Sequence, residues 1–538
     1  MRFKQEITVT FRLAAFVAAL GVFGFARGVS AFEQGGAAPQ QQPTQTAPAP
    51  AATGPTVQIT ADEAVRMALE NNLGIQAARL SPEAQALDVA ATRAAYAPVL
   101  FTNTTKNSNS NPPSNFLSGN EFITNEGIRT NAGVAQQIRW GGGRYQASID
   151  GSRNTTSDPT DPFNPRLASN FNFNFTQPLL RNFTIDATRQ QLLVGQKQKE
   201  IVDVQLQQQI AQTTRRVRSA YFDLVGAYGQ LTVARRTLEL AQQSLRDNEQ
   251  RVKVGTLPPI DIIEAQAEVS RNEEGVIIAE ARIKTLEDGL RTLIMNPSQA
   301  DFWTASITPA EQPVLTPQAV DVEAAVANAL ANRTDLIQAR KQLEQTDINM
   351  RFAKNQRLPN VDAVVNYGLA GVAGTRTLYE YDASGLPTRV GVAQRTFSDA
   401  LRDIFGNDFK TWSVQLQVSY PIGQSQWEAT LAQTRVQRQQ DVTQIRQLEM
   451  QIATAVRDAA RQVDTSLKRV EATRKAREFA ERNLDAEQKR MTVGLSTTFQ
   501  LLQAQRRLSE QSLAELTAVI DYNRALVNLQ AVQTVPLQ

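Results

Sequence analysis

The chain has 538 residues, with 56 basic and 53 acidic side chains and neither cysteine nor histidine. That composition excludes disulfides, thiol nucleophiles, Cys or His metal sites and every His-based catalytic triad. Carboxylates are abundant, but no pair of them stands in a recognisable catalytic motif, so no catalytic residue, metal site or cofactor is assigned and an enzyme is not expected.

Residues 1–31 read as a secretory signal peptide. Arg2, Lys4 and Arg12 make a positive start, 13–25 is apolar, and Val29, Ser30 and Ala31 form a small-residue cleavage site. The apolar run is too short to span a bilayer. Position 32 is Phe, so no lipid-bearing cysteine follows. Without residues 1–31 the chain holds 52 basic and 52 acidic residues. The basic balance therefore belongs to the leader, and nucleic acid is not an expected partner. Residues 32–58, rich in Gln, Pro, Ala and Thr, read as a flexible tail.

Two repeats organise the remainder. AVRMALENNLGIQAAR at 64–79 returns as AVANALANRTDLIQAR at 325–340, and Pro98 returns as Pro359. RVKVGTLPPIDIIEAQAEVS at 251–270 returns as RMTVGLSTTFQLLQAQRRLS at 490–509. The second pair shares Arg251/Arg490, Val254/Val493, Gly255/Gly494, Ala265/Ala504, Gln266/Gln505 and Ser270/Ser509. So long a period exceeds any solenoid unit and indicates two copies of a half-domain, 59–298 and 299–538.

In chain order, a helix is predicted over 75–97, up to Pro98. Residues 108–127 read as an outer loop. Residues 132–140 and 145–154 flank the turn at Gly141, Gly142, Gly143 and Arg144, a hairpin that either enters a sheet or folds over it. In 170–177, Phe171, Phe173 and Phe175 alternate with Asn172 and Asn174. After Pro178 a helix is predicted from about 183 to 253, with a heptad seam from Leu206 to Val252 in which Leu and Ala take turns. Gly255 is placed to stop it, and Pro258-Pro259 opens a helix over 258–295. A further helix is predicted over 334–357. Residues 361–369 alternate as a strand, and 371–410 read as a second outer loop. In 412–420, Trp412, Val414, Leu416, Val418 and Tyr420 share one face, with Ser413, Gln415, Gln417 and Ser419 on the other. A second long helix runs from about 425 to 491, its seam broken by Glu449, Arg477 and Glu487. Gly494 stops it, and 497–531 closes the chain as a helix.

Each long helix holds roughly 70 residues and spans on the order of 100 Å, so the body must be an elongated tube or rod. The shorter helices stack to match: 258–295 with 334–357, and 497–531 with 75–97. Past the leader no apolar run is long enough to cross a bilayer as a helix, so a crossing would need strands closed into a barrel. The aromatic-ended strands, apolar on one side and polar on the other, fit that use. A soluble sandwich gives the same period; the leader and the inward-facing amides favour the membrane.

Helix, strand pair, very long helix, glycine turn and helix, all twice, resembles the TolC-like outer-membrane efflux protein family. The motifs that carry the likeness are Val254-Gly255 with Asp261 and Ala265-Gln266, Val493-Gly494 with Ala504-Gln505, and Gln177-Pro178-Leu179-Leu180. The implied fold is mainly α with membrane β-strands, a duplicated helix–strand–strand–helix repeat forming a trimeric α-helical tunnel plus a shared outer-membrane β-barrel. Each subunit of the homotrimer would supply four strands. Segments 59–72, 296–330 and the C-terminus would form an equatorial belt. The implied function is that of an outer-membrane exit duct in a tripartite efflux or type I secretion system, working with a periplasmic adaptor and an inner-membrane pump. The rival readings are a periplasmic coiled-coil adaptor and a plain porin.

By position, the likeness places the tip turns, adaptor docking and gate at Val254, Gly255, Asp261, Glu264, Val493, Gly494, Ser496, Gln500 and Gln503. Outer-membrane lipid would meet Phe171, Phe173, Phe175, Trp412, Val414, Leu416, Val418 and Tyr420. One departure stands out. The family's best-known member has a tyrosine before the second Val-Gly, an arginine after it, and two carboxylates ringing the tunnel mouth. Here Met491, Ser496, Gln500 and Gln503 take those places, while Asp261 and Glu264 keep charge in the first copy. Neutral amides focus far less field on a cation than carboxylates do. Divalent and trivalent cations are therefore expected to block this pore poorly, and strong block from the periplasmic side in single-channel recordings would refute that.

Overall fold

The structure, a computed structural model, describes residues 55–113, 121–311, 315, 317–381, 387–423 and 425–533. The expected leader lies outside them. In the first copy come β1 (Thr56–Ile59), α1 (Ala61–Asn71), α2 (Leu73–Ala94), β2 (Val99–Asn111), β3 (Ile123–Gln137), β4 (Arg144–Thr156), β5 (Phe163–Pro178), α3 (Ala187–Lys253) and α4 (Ile260–Ile294). In the second come β6 (Ser306–Pro309), α5 (Val322–Asn332), α6 (Thr334–Gln356), β7 (Asn360–Tyr381), β8 (Pro387–Arg395), α7 (Phe397–Gly406), β9 (Lys410–Ser419), α8 (Gln426–Thr492) and α9 (Thr498–Gln533).

The duplication is visible cap by cap. Thr60 accepts the Glu63 amide and Glu63 reaches back to the Thr60 amide, closing a capping box on α1. In the second copy Asp321 accepts from the amides of Glu323 and Ala324 and caps α5. Buried Ala64, Ala68 and Ile75 correspond to buried Ala325, Ala329 and Leu336. Both long helices, α3 and α8, hold 67 residues. Helices α1 and α2 map onto α5 and α6 at a spacing of 261, while α3 maps onto α8 at 239. The drop from 261 to 239 means that the first copy carries 22 more residues between these helices.

Those residues build sheet. Strands β2, β3, β4, β5 and β7 lie side by side in that order, all antiparallel. Strand β9 pairs with β7 over Asn360–Leu369, and β8 pairs with its farther stretch, Gly374–Tyr381. The hairpin left open by the sequence is thus β3 and β4, in the middle of the sheet. Among the described residues the implied count of four strands is corrected to six long ones plus β8. The extra pair was hard to read because Gly, Ala, Asn and Thr dilute its alternation.

Three further boundaries are corrected. Of the tail predicted over 32–58, residues 32–54 lie outside the described residues, and Thr56, Val57 and Gln58 belong to β1, which pairs in parallel with β6. The loop predicted over 108–127 gives way at both ends to β2 and β3, where Asn, Ser and Thr on both faces hide the period. The loop predicted over 371–410 holds the end of β7, then β8 and α7. Four prolines mark junctions: β2 opens after Pro98, β5 ends at Pro178, β7 opens after Pro359 and β9 ends just before Pro421.

Below the sheet the helices run alongside one another. The α3 seam is nowhere exposed from Leu206 to Val252. It packs against α4, α9, α2, α6 and α1, while α8 packs against α9, α6 and α5. The three charges that break the α8 seam are each met: Glu449 by Arg340, Arg477 by Glu515 and Glu481, and Glu487 by Arg490. Helix α2 lies on α3, not beside α8 as the stacking expectation had it. Its Leu73, Leu80 and Leu87, seven residues apart, stay exposed. One large core joins the β1–β6 pair to mid-α3 through Ile59, Ile307, Val217, Tyr221 and Leu224. Tyr221 donates to the Ile59 carbonyl at 3.2 Å. Among the described residues no helix is long and apolar enough to cross a membrane. Truncating the fully buried Leu224 to Ala is expected to cost about 3 kcal/mol, read as a clear drop in the thermal unfolding midpoint in detergent.

Candidate functional site

Two places carry the geometry of function: the paired turns at the far end of the long helices, and the two faces of the sheet. The turns are built alike. At the end of α3, Thr256 N bonds Arg251 O at 2.8 Å and Gly255 N bonds Val252 O at 3.0 Å. At the end of α8, Leu495 N bonds Arg490 O at 2.9 Å and Gly494 N bonds Met491 O at 3.3 Å. Each is a helix stop closed through a left-handed residue. Gly255 has φ +80° and Gly494 φ +74°, with open space where a Cβ would go, so glycine is required by backbone conformation alone.

The turns sit together: Arg251 Nη1 donates to Met491 O at 3.2 Å. Val254, Val493 and Leu495 project as exposed apolar knobs. Glu264, Gln500 and Gln503 are exposed and Asp261 is half-buried. Asp261 also accepts, on its backbone carbonyl, from Asn248 at 3.4 Å. Gln500 is committed locally. Its amide N–H bonds Thr497 Oγ1 at 3.3 Å and its Oε1 faces Thr497 N at 3.4 Å, so it caps α9. Ser496 Oγ lies 2.7 Å from Glu487 Oε2 and 3.0 Å from Gln500 Oε1.

Two residues escaped the sequence reading. Glu268 is nearly buried on α4 and takes two bonds from Arg506 on α9, at 2.6 and 3.2 Å. This clasp joins the two copies above the turns. The signal was present: Glu268 stands three residues after the buried Ala265, on the same helix face, where a carboxylate needs a cation. Burial pushes the Glu268 carboxyl up, but the hydrogen bonds and charge of Arg506, with Arg271, outweigh it and hold it below its ordinary value. The repeated glutamines also part company. Gln505 is buried and donates to Ser244 at 2.9 Å, while Gln266 is exposed.

In the sheet, register decides which side chains share a face. Opposite one another lie Phe171 with Leu369, Phe173 with Tyr367, Phe175 with Val365, Tyr367 with Trp412, and Val365 with Val414. Tyr145 stacks on Phe173 with centroids 6.4 Å apart. Trp412, Val414, Leu416, Val418 and Tyr420 are exposed on this face, and the three phenylalanines are half-buried among neighbouring strands. The other face is a run of amides and acids. Asp150 accepts from Asn170 at 2.9 Å and Asn172 at 3.1 Å and pairs with Arg129 at 3.3 Å. Asn174 donates to Asn366, which donates to Ser413 at 3.1 Å. Among the described residues no His, Cys, Asp and Glu group could hold a metal ion.

A model of the outer membrane efflux protein family matches residues 64–294 and 325–533, once for each copy. No curated protein sequence matches the chain. Several solved structures share the fold. The Campylobacter jejuni CmeC outer membrane channel is 14% identical, with a TM-score of 0.61 over 88% of this chain and 85% of that one. The Vibrio cholerae outer membrane protein VceC is 14% identical, with a TM-score of 0.60 over 89% and 97%. The Neisseria gonorrhoeae MtrE outer membrane channel, in its open state, is 16% identical, with a TM-score of 0.60 over 89% of each chain.

Because its carboxyl is held below the ordinary 4.5, Glu268 contributes stability above that pH and loses it as the pH falls through its lower folded-state value. The thermal midpoint of the natural chain is therefore expected to fall more steeply on acidification than that of Glu268→Gln. Parallel melting curves as a function of pH check this; two parallel pH profiles would show that the clasp contributes nothing.

Proposed function

The chain belongs to the outer membrane efflux protein family, and from that premise we propose that it is a passive exit duct of a tripartite efflux or secretion pathway. Three copies close one barrel in the outer membrane and continue beneath it as a helical tunnel. The observation that supports this most directly is the sheet. It has an apolar face, a polar face and, among the described residues, two edges without a partner strand: β2 on one side and β9, with β8 beyond it, on the other. Backbone at such edges cannot be left unbonded in lipid. A second copy supplies the missing partner, β9 of one chain meeting β2 of the next.

Six strands from each of three chains give eighteen, a number that leaves an aqueous channel through the barrel. Phe171, Phe173, Phe175, Trp412, Val414, Leu416, Val418 and Tyr420 face lipid, and Asp150, Asn172, Asn174, Asn366 and Ser413 line water. The exposed stripes below the sheet fit the same assembly. Leu73, Leu80 and Leu87 on α2 and Val436 and Met450 on α8 recur at multiples of seven and lack an apolar cover within one chain.

At the other end, the tip turns meet the adaptor of an energised pump. Val254, Val493 and Leu495 supply apolar knobs, Gly255 and Gly494 fix the turn shape, and Asp261, Glu264, Ser496, Gln500 and Gln503 supply polar selectivity. A periplasmic adaptor has no use for the sheet, and a plain porin none for paired helices of 67 residues.

The cysteine-free chain allows a direct test. Asn103→Cys on β2 and Gln415→Cys on β9, joined by a flexible bis-maleimide, are expected to give a covalent trimer only when both are present. The same preparation is expected to conduct ions in planar bilayers. A monomer band with a silent bilayer would sink the reading.

A further inference from the structure

Helix α7 sits on the wrong side of the sheet for a loop that guards a pore. Gly151 and Gly371 lie on the face that carries Ile149, Phe171 and Leu369, as strand alternation and register require. A Cβ at Gly371 would overlap the Ala400 carbonyl of α7, and one at Gly151 would lie 2.9 Å from the Phe397 ring. The helix therefore packs on the apolar, outward face.

It is held there firmly. Arg395 pairs with Asp403 at 2.6 Å and donates to Val372 O at 3.0 Å. Tyr367 donates to Asn407 at 2.9 Å, and Ala370 N donates to Phe409 O at 3.0 Å. A capping box between Thr396 and Asp399 starts the helix and left-handed Asn407 ends it.

Its inner side, with Ala400, Asp403 and Ile404, is buried. Its outer side is amphipathic: Ser398 and Arg402 are exposed together with Phe397 and Phe405, and Phe405 is 83% exposed. Phe409, just past the helix end, is 56% exposed and Trp412 on β9 73%. Arg402 is 81% exposed along its side chain and pairs with Asp399 at 3.5 Å.

Height explains the need. On β7 the apolar side chains run from Val361 to Leu369, eight residue steps, or roughly 26 Å along the strand. At a tilt of ~40° that spans only about 20 Å, short of the ~25 Å apolar band of an outer-membrane barrel. Above it stand Ser169, Gly371 and Gly151, too small to reach lipid. A helix laid across them adds a layer about 10 Å deep.

We propose that α7 is an interfacial lipid-binding helix on the barrel's exterior. Phe405 on the helix and Phe409 just past its end enter the acyl boundary of the outer leaflet, and Arg402 exchanges its exposed pairing with Asp399 for the headgroup anions. The partner is membrane lipid, continuous with the band below it. The proposal rests on the barrel reading, and the test separates the two.

The experiment uses the full chain in vesicles with bromine placed at shallow or deep acyl positions. Trp140, Trp303, Trp412 and Trp427 are replaced by Phe, and Phe405→Trp is added. A chain keeping only Trp412 reports on the barrel, and one keeping only Trp303 on water. The indole introduced at position 405 is expected to emit blue-shifted light and to be quenched several-fold, more by shallow bromine than by deep. Quenching of Trp412 without quenching of the introduced indole overturns this proposal alone. So does shielding of that indole from both bromine and aqueous iodide, which would place protein over it. An unquenched Trp412 overturns the barrel reading itself. Should the tryptophan-poor chain fail to fold, Phe405→Cys with a polarity-sensitive maleimide dye gives the same reading on the otherwise natural sequence.

Discussion

A strand in hydrocarbon must find a partner for every backbone N–H and C=O. This constraint governs the rest of the molecule. In the proposed assembly it is met at the open edges β2 and β9 by neighbouring copies, and it accords with one greasy and one amide-lined sheet face. Closure around a water-filled interior then asks the polar face to solvate itself, which two side-chain groups do: Asn170 and Asn172 donate to Asp150, and Asn174 donates to Asn366, which donates to Ser413.

Duplication supplies the scaffold that carries this sheet. Caps at corresponding positions, long helices of equal length and like glycine stops give two arms of one plan, and differences between them fall at contacts. Gln505 turns inward to Ser244 while Gln266 turns outward. Glu268 reaches across to Arg506, so the clasp is made between unlike copies. Arg251 does the same at the turns by bonding the end of α8. The two arms are therefore tied by asymmetric contacts although their backbones obey one plan. Only the Glu268 half of the clasp is shielded from water, so removing Arg506 strands a buried carboxylate, whereas removing Glu268 leaves an arginine that water can solvate.

Much of this was legible in the sequence where one physical cause dominated. The α3 seam, the two glycine stops and the four junction prolines each leave a strong local mark. Legibility failed where two causes overlapped. Beyond Leu369 the strand loses its apolar period because α7 takes over the task of covering that face, so small residues replaced large ones and the segment read as loop. The β3–β4 pair is visible as a hairpin, but its place between β2 and β5 is not, because Asn, Ser, Thr and Gly along these neighbouring strands hide the alternation that would mark them as paired. In the second copy, Gln500 was noticed for the charge it lacks; its bond to Thr497, a helix-capping job, became plain only in three dimensions. The clasp was missed because neither Glu268 nor Arg506 belongs to the repeated frame.

Of the 22-residue excess of the first copy, 18 residues lie between its junction prolines and 4 between Pro178 and α3. Hairpins can thus be added to the sheet without shifting any helix by a single turn. Barrel circumference and tunnel circumference are independent dimensions in such a chain, one counted in strands and the other in helices. A molecule built this way can widen its mouth while keeping the same throat, like a flared nozzle on a pipe of fixed bore. A change in the bulk of what leaves the cell need not disturb the fit to the machinery below.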